Sequence, residues 1–270
     1  MLVITCIKQV PDTTQVKIDP VTNTLIRDGI PFITNPYDVH AMEESLRLKD
    51  RFGFHTTALS MGPPNAEAAL KRAVALGMDD AVLLSDRVFG GADTLSTSNV
   101  LAAAIRKLAA DKPLGLVICG KQTIDGDTAQ VGLGIAVRLG LSQLTLVDRI
   151  EDLDLLANRI RVRRKLEGRY EIVEARLPAM ITVVREINQP RYPTVPMRLQ
   201  SEKAPITVWN NGDLKLDINS IGLKGSPTWV SKIFSPERAR GEILGDGLGD
   251  PAGTTRMLME RLVATDMLTM

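Results

Sequence analysis

The stretch Leu114-Gly-Leu-Val-Ile-Cys-Gly-Lys-Gln-Thr-Ile-Asp-Gly-Asp-Thr-Ala-Gln-Val-Gly132 decides the fold. Leu114–Cys119 is a short apolar run, the mark of a strand buried on both faces. A polar, glycine-bearing loop follows from Gly120. Thr128–Leu139 then reads as a helix closed by Gly140. Working outward, the same strand-then-helix unit recurs upstream. Leu2–Cys6 is a strand, and a helix starts at Asn35-Pro36, with Asn as N-cap and Pro at the first helical position. Phe54–Leu59 and Ala66–Leu76 form the next pair, stopped by Gly77. Ala81–Leu84 and Thr94–Leu108 form another, with Asp93 or Thr94 as the cap, and Leu144–Val147 ends the series. Strands joined by connections of this length are parallel. The fold class is therefore α/β, a doubly wound, mostly parallel sheet.

After residue 150 the pattern changes. Arg159–Lys165 and Arg169–Arg176 alternate around Glu167-Gly168, which predicts a β-hairpin, and Ala179–Val184 is one more strand. Asn188–Pro196 holds Pro190, Pro193 and Pro196 and reads as an extended surface loop. From Ser201 the regularity fades, and a glycine-rich stretch, Gly241–Gly253, leads to a short amphipathic helix, Thr255–Leu268. The expected division is 1–200, an α/β nucleotide-binding domain with hairpin and loop, and 201–270, an extended segment ending in a helical arm that docks on another chain, since so short a helix is not stable alone.

Composition narrows the function classes. The 33 Lys+Arg and 32 Asp+Glu leave a net charge of +1, against a bulk nucleic-acid binder or a charge-held membrane protein. No apolar run approaches the ~20 residues of a membrane span, so no membrane insertion is expected. Met1–Lys8 lacks the form of a signal peptide, and two cysteines, Cys6 and Cys119, fit a reducing compartment, the cytoplasm. His40 and His55 stand apart, so no metal site is expected.

The chemistry is sought where open α/β sheets bind ligands, at the carboxyl ends of their strands. Gly120, Gly126 and Gly132 let backbone approach a ligand, and a helix start near Thr128–Gly132 presents unpaired N–H groups suited to a phosphate. The spacing matches neither GxGxxG nor the P-loop. Asp125 and Asp127 lack the acidic partner of a calcium loop, so helix capping is expected of them. If strand order reverses between the first and fourth strands, Cys6 and Gly120 flank the crevice. No nucleophile–base pair is visible, so any chemistry would belong to a cofactor.

The residues carrying a family resemblance are Ile4–Asp12 (ITCIKQVPD), Asn35-Pro36, Glu43–Lys49 (EESLRLK), Ala75–Asp79 (ALGMD), Gly120–Val131 and Asn188–Pro196 (NQPRYPTVP). In these the chain resembles the β subunit of electron-transfer flavoproteins over nearly its whole length. The resemblance implies a fold of the adenine-nucleotide hydrolase-like type and an α-subunit partner carrying FAD. In the housekeeping branch the β subunit holds AMP; in the electron-bifurcating branch the same pocket holds FAD, which accepts hydride from NADH. Asp-Gly-Asp-Thr-Ala-Gln-Val-Gly at 125–132, Asp86–Ser98 (DRVFGGADTLSTS) and the tail opening SPERARGEIL at Ser235 resemble the second branch.

By matching motif, the adenosine and phosphate region is expected at Cys6, Asn35, Tyr37, Asp38, Met61, Gly120, Lys121, Gln122, Thr123, Asp125, Gly126, Asp127, Thr128, Ala129, Gln130 and Val131. Ala129 replaces the Asn of the housekeeping loop, so a backbone contact is expected there. Asp93, Thr94 and Thr97 are expected near the isoalloxazine, with Gly90 and Gly91 leaving room for a flat ring. Arg191, Tyr192 and Val195 are expected to meet a dehydrogenase, with Arg191 at the rim. The implied partners are the α subunit, an acyl-CoA or other flavin dehydrogenase, and ferredoxin or flavodoxin. The rival functions are a carrier subunit with structural AMP and a nucleotide-sensing protein of related fold; the proline-rich loop and C-terminal arm weigh against the sensor.

Overall fold

The alternation of apolar runs and amphipathic stretches is carried through into the computed structural model, which describes residues 1–12, 17–18, 25–26, 31–229, 231 and 241–268. Strand β1 (Leu2–Cys6) leads through β2 (Gln9–Pro11), β3 (Lys17–Ile18), β4 (Leu25–Ile26) and β5 (Phe32–Thr34) into helix α1 (Pro36–Phe52). The repeats β6 (His55–Met61), α2 (Glu67–Leu76), β7 (Asp80–Leu84), α3 (Thr94–Leu108), β8 (Leu114–Gly120) and α4 (Val131–Leu139) follow. Next come β9 (Ser142–Asp154), β10 (Arg159–Leu166), β11 (Arg169–Arg176), β12 (Ala179–Val183), α5 (Val195–Glu202), β13 (Thr207–Trp209), α6 (Asn211–Leu214) and α7 (Pro251–Ala264).

The main sheet has the order β11-β10-β9-β12-β8-β1-β6-β7-β13. From β9 through β13 every neighbouring pair is parallel, and only the β9-β10-β11 end is antiparallel. The chain winds from β1 through β6 to β7, then crosses to the other side of β1 to lay down β8. The order therefore reverses between β1 and β8, as the crevice argument requires.

Burial on both faces follows from the two-residue period of the strands. Leu2, Ile4, Val117 and Cys119 pack under α3 and α4 with Val100, Ile105 and Ile135. Their neighbours Val3, Leu116 and Ile118 face the opposite way, with Ala41 and Leu48 of α1. Met42 and Leu46 of α1 meet Leu70 and Ala73 of α2 over Ala58 and Leu83. Truncating one such side chain, Leu46 for example, costs about 2–5 kcal/mol. The helix stops are glycines in the left-handed region, Gly53, Gly77 and Gly140.

Three expectations need correction. The strand read as Leu144–Val147 lies in the first half of thirteen-residue β9, which pairs with β12 on one side and β10 on the other. The alternation is broken at Leu146, whose φ is 58° and whose N–H is taken by Thr182 Oγ1 at 3.1 Å; that kink hides the strand from a periodicity search. The loop read as Asn188–Pro196 ends at Thr194, because Val195 and Pro196 open α5, where Pro fits a first turn. The division expected after residue 200 falls at Val230, with one compact unit at Met1–Val230 and a second at Ser231–Met270. The reason is that β13 pairs with β7, Ile221 is buried in the core, and Lys107 lies 4.3 Å over the Trp209 ring.

In the second unit, α7 is capped by Asp250, whose carboxylate accepts from Gly253 N, and Arg261 pairs with Glu242 at 2.6 Å. The segment opening SPERARGEIL falls largely in 232–240, outside the described residues.

Candidate functional site

At the switch point, Cys6 of β1 stands in register with Cys119 of β8, and Gly120 ends β8. Four parallel strands, β1, β6, β7 and β8, therefore empty their loops onto one edge. Asn35 fastens these loops together. It occupies the N-cap position of α1, but its side chain makes no cap bond. Its Nδ2 donates to Gln122 O at 2.9 Å, and its Oδ1 accepts from Ile124 N at 3.2 Å. Its own N–H donates to Lys8 O at 2.8 Å. The cap expected from sequence is thus a clamp on the β8 loop.

Asp38, in the first turn of α1, is fully buried beside it. Its Oδ2 accepts from Lys8 N at 2.8 Å, and Gly120 and Asn35 also donate to the carboxylate. Burial pushes its pKa up to about 7, and these hydrogen bonds and the Lys8 charge offset only part of that. Gly120 is required here, because a Cβ would collide with Asp38 Oδ1 and Tyr37 Cβ. The Tyr37 ring is covered by the Arg185 guanidinium at 4.8 Å.

The loop from Lys121 to Gln130 leaves the sheet with Lys121 N donating to Val183 O at 2.9 Å. Thr123 O accepts from Asp127 N at 2.9 Å. Lys8 Nζ reaches Asp125 Oδ2 at 2.6 Å. Burial raises the Asp125 pKa, but the hydrogen bonds from Lys8 and Thr123 and the Lys8 charge together outweigh it, and the group lies below its ordinary value. Asp127 Oδ1 accepts from Gln122 Nε2 at 2.6 Å. Neither aspartate caps a helix, contrary to expectation.

The helix expected from Thr128 begins at Val131. Asp127 and Ala129 hold φ of 52° and 55°, which a right-handed helix excludes. These two positions turn the chain so that it arrives at α4 with no side-chain cap on the helix start. The first N–H groups of α4, at Val131, Gly132 and Leu133, have no intrahelical acceptor. Gly132 sits against Thr182 Cγ2 and Cys119 Sγ, at 3.2 and 3.4 Å from where a Cβ would be, which brings α4 close to the sheet. At Gly126 the only atom of the described residues within 4 Å of that position, its chain neighbours aside, is Thr123 Oγ1, at 3.6 Å, so the loop crest is an open cradle. Gly126, Asp127 and Thr128 are exposed there. Uncapped helix donors, a partner cation at Lys8 and an open glycine crest fit a phosphate or pyrophosphate.

Thr94, at the start of α3, donates to Gln130 Oε1 at 3.0 Å, joining α3 to the loop. Thr97 is half-buried one turn on. Asp93 is the N-cap: its Oδ1 accepts from Ser96 N at 3.0 Å, and its Oδ2 accepts from Thr228 N and Oγ1 at 3.2 and 2.9 Å. Both carboxylate oxygens are engaged within the chain. Gly90 and Gly91 do not open space for a ring, contrary to expectation. Leu223 N donates to Gly90 O at 3.1 Å, and Leu223 Cβ lies 3.3 Å from a Cβ placed at Gly91. Segment 222–228, which carries no motif, covers that face. Met61 ends β6 half-buried against the core, next to Ser60, whose buried Oγ has no hydrogen-bond partner among the described residues. Cys119 is buried, and its side-chain hydrogen bond with Cys6, together with burial, holds its free thiol pKa well up.

On the other face, Arg191 is not a rim charge. It binds Glu43 through Nε at 2.9 Å and Asp50 through Nη2 at 2.7 Å. Tyr192 and Val195 are 88% and 72% exposed, as anchors for another protein must be. Residues to which the sequence reading gives no role of their own are Lys8, Glu43 and Glu44. Lys8 becomes visible only once β1 is placed beside β8; the two glutamates lie inside the EESLRLK stretch, without an assigned role.

A parallel, doubly wound layer with an uncapped helix start and a glycine crest at its switch point is the arrangement of nucleotide-binding α/β proteins. The model of the electron transfer flavoprotein domain matches residues 22–214, and the chain belongs to the electron transfer flavoprotein family, as a β-subunit type of chain. It is 46% identical over 262 residues to Protein FixA of Azotobacter vinelandii, covering 96% of this chain and 93% of that one. It is 47% identical over 245 residues to the electron transfer flavoprotein subunit beta of Clostridium acetobutylicum, covering 90% and 92%. To the caffeyl-CoA reductase-Etf complex subunit CarD of Acetobacterium woodii it is 45% identical over 257 residues, covering 94% and 96%. No helix among the described residues is long and apolar enough to cross a membrane.

Proposed function

We propose that this chain is the FAD-bearing β subunit of an electron-bifurcating flavoprotein. The bound flavin would supply two-electron acceptance from NADH and one-electron delivery, to ferredoxin or flavodoxin on one branch and through the α-subunit FAD to an acyl-CoA or other flavin dehydrogenase on the other. The observation that carries this reading is the Thr94–Gln130 contact, which sets the start of α3 beside the phosphate loop. A ligand seated on that loop can extend past the phosphates and meet the hydroxyls of α3. Similarity to a subunit of a reductase-Etf complex supports the dehydrogenase branch.

Under this reading Gly126–Gly132 supplies backbone donors to the pyrophosphate. Asn35 and Asp38 hold those donors in place, and Cys6, Tyr37 and Met61 border the adenosine. Thr94 and Thr97 orient the ring by hydrogen bonds, while Asp93 acts on it only through the α3 cap. Tyr192 and Val195 dock the dehydrogenase.

A carrier subunit with structural AMP is the second reading. It is favoured by the packing of Leu223 on Gly91, which narrows the space beside α3. The FAD content of the purified α–β pair separates the two. Two FAD per heterodimer supports bifurcation, whereas one FAD with one AMP supports the carrier and overturns the first reading.

A further inference from the structure

We propose that Glu43 and Glu44 of α1 are positioning residues for the docking surface, fastening residues 188–191 so that Tyr192 and Val195 are presented in one preset arrangement. This rests on the reading of the proline-bearing loop as the site that docks the dehydrogenase.

Glu43 is almost completely buried, its side chain 6% exposed. Its Oε2 accepts from the Arg191 N–H at 3.0 Å and from Arg191 Nε at 2.9 Å, and its Oε1 accepts from Arg191 Nη2 at 3.2 Å. One carboxylate thus grips both the backbone and the side chain of a single loop residue. Arg47 donates to the same Oε1 at 3.2 Å from one turn along α1, and Asp50 takes the outer edge of the Arg191 guanidinium. Glu44, the next residue, accepts from Asn188 Nδ2 at 3.0 Å. Asn188 Nδ2 also donates to His40 O at 3.0 Å, and His40 Nδ1 lies 3.1 Å from Asn188 Oδ1. Ile187 anchors the loop's base in the core.

The fastening ends at Arg191, and beyond it Tyr192, Val195 and Leu199 stand out at 88%, 72% and 64%. A loop that merely crossed the surface would need neither a buried carboxylate nor a neutralising guanidinium, which together offer little net stability over apolar packing. What this geometry does supply is order before binding. Immobilising rotamer-rich side chains on docking is costly, and a loop already held avoids much of that cost. The effect should appear in encounter with the partner and leave the chemistry at the nucleotide crevice alone.

The test uses the α–β heterodimer with an acyl-CoA dehydrogenase as the probe partner. Glu43→Gln keeps the size of the side chain but removes the charge that holds Arg191. It should raise the KM for the dehydrogenase by about tenfold, with kcat, flavin content and NADH-dependent flavin reduction unchanged, and should speed tryptic cleavage after Arg191. Val195→Asp serves as the control on the docking reading and should also raise that KM. If Val195→Asp raises KM and Glu43→Gln does not, the positioning role is overturned while docking stands. If neither raises it, the docking reading falls and takes this proposal with it. Should Glu43→Gln lose flavin, Arg191→Gln, which alters the half-exposed partner of the same ion pair, reads the same quantity with the same two outcomes.

Discussion

The start and the middle of α1 serve surfaces built on opposite plans. At its start, the crevice is made of backbone: the loop after β8 turns through positive φ at Asp127 and Ala129, Gly126 leaves an open crest, and α4 starts uncapped. Along its middle, the docking loop is held by side chains, through Glu43, Glu44, Asn188 and Arg191. A backbone site tolerates changes of side-chain chemistry but not added bulk. A side-chain site tolerates bulk at its exposed tips but not loss of a charge underneath. The same helix therefore carries one surface that should be broken by making a residue larger and another that should be broken by making one neutral.

The largest expected effect is at the crest. Gly126→Val should abolish nucleotide retention in the β subunit while leaving the α-subunit FAD. Among the described residues the added Cβ meets only Thr123, so the fold should be intact by circular dichroism. Full nucleotide content in the folded variant would remove the backbone from the comparison.

Next is the clamp. Asn35→Ala deletes two hydrogen bonds to the loop, at Gln122 O and Ile124 N. It should destabilise the protein by about 2–4 kcal/mol, since partly buried backbone groups lose their partners. Urea unfolding, with nucleotide release followed in parallel, measures it. An unchanged midpoint would mean that the loop holds its own shape.

A third effect depends on pH. Asp38 has a native pKa of about 7 against an unperturbed value of 3.8. For a carboxyl raised on folding, the native state binds the extra proton between those values. Its contribution is therefore fully present below about pH 4 and lost as pH rises through 7. Asp38→Asn cannot ionise, so the stability advantage of the parent over this variant should shrink from pH 5 to pH 8. A difference that stays flat with pH would show that Asp38 does not titrate in this range. The smallest effect is expected at Thr97→Val, which removes one hydroxyl from α3 and keeps its shape. It should shift the potential of the β-bound flavin slightly and leave stability within about 0.5 kcal/mol, as expected for a substitution away from the core. An unshifted potential would confine the ring contacts to Thr94.

Much of the fold could be read from the sequence, because its signals are local. Apolar runs such as Leu116–Cys119, the glycine stops at Gly77 and Gly140, and the Asp93 cap each declare themselves within a few residues. The switch point was legible as a condition on strand order. The illegible parts depend on partners distant in the chain. Asn35 reads as a cap because Asn before Pro caps helices; that it clamps Gln122, 87 residues away, follows only from β1 lying beside β8. Lys8 and Asp125 are 117 residues apart. Segment 222–228 bears no motif, yet it takes both the Gly91 face and the Asp93 carboxylate. Arg191 looked like a surface charge because its partners, Glu43 and Asp50, lie on a helix placed beneath the loop by tertiary packing.

The insertion of β12 between β8 and β9 bears on how the chain can be divided. The four strand–helix repeats ending at Gly140 look like a self-sufficient half, but in the sheet β8 is paired on its outer side by β12, which begins about forty residues after Gly140. A fragment stopped at Gly140 would display Leu116, Val117 and Ile118 along an unpaired backbone edge, the template on which strands of other chains stack. Such a fragment is expected to aggregate rather than bind a nucleotide. During synthesis the same edge stays open until Val183 has emerged, so the hairpin and β12 act as the chain's own guard against misassociation.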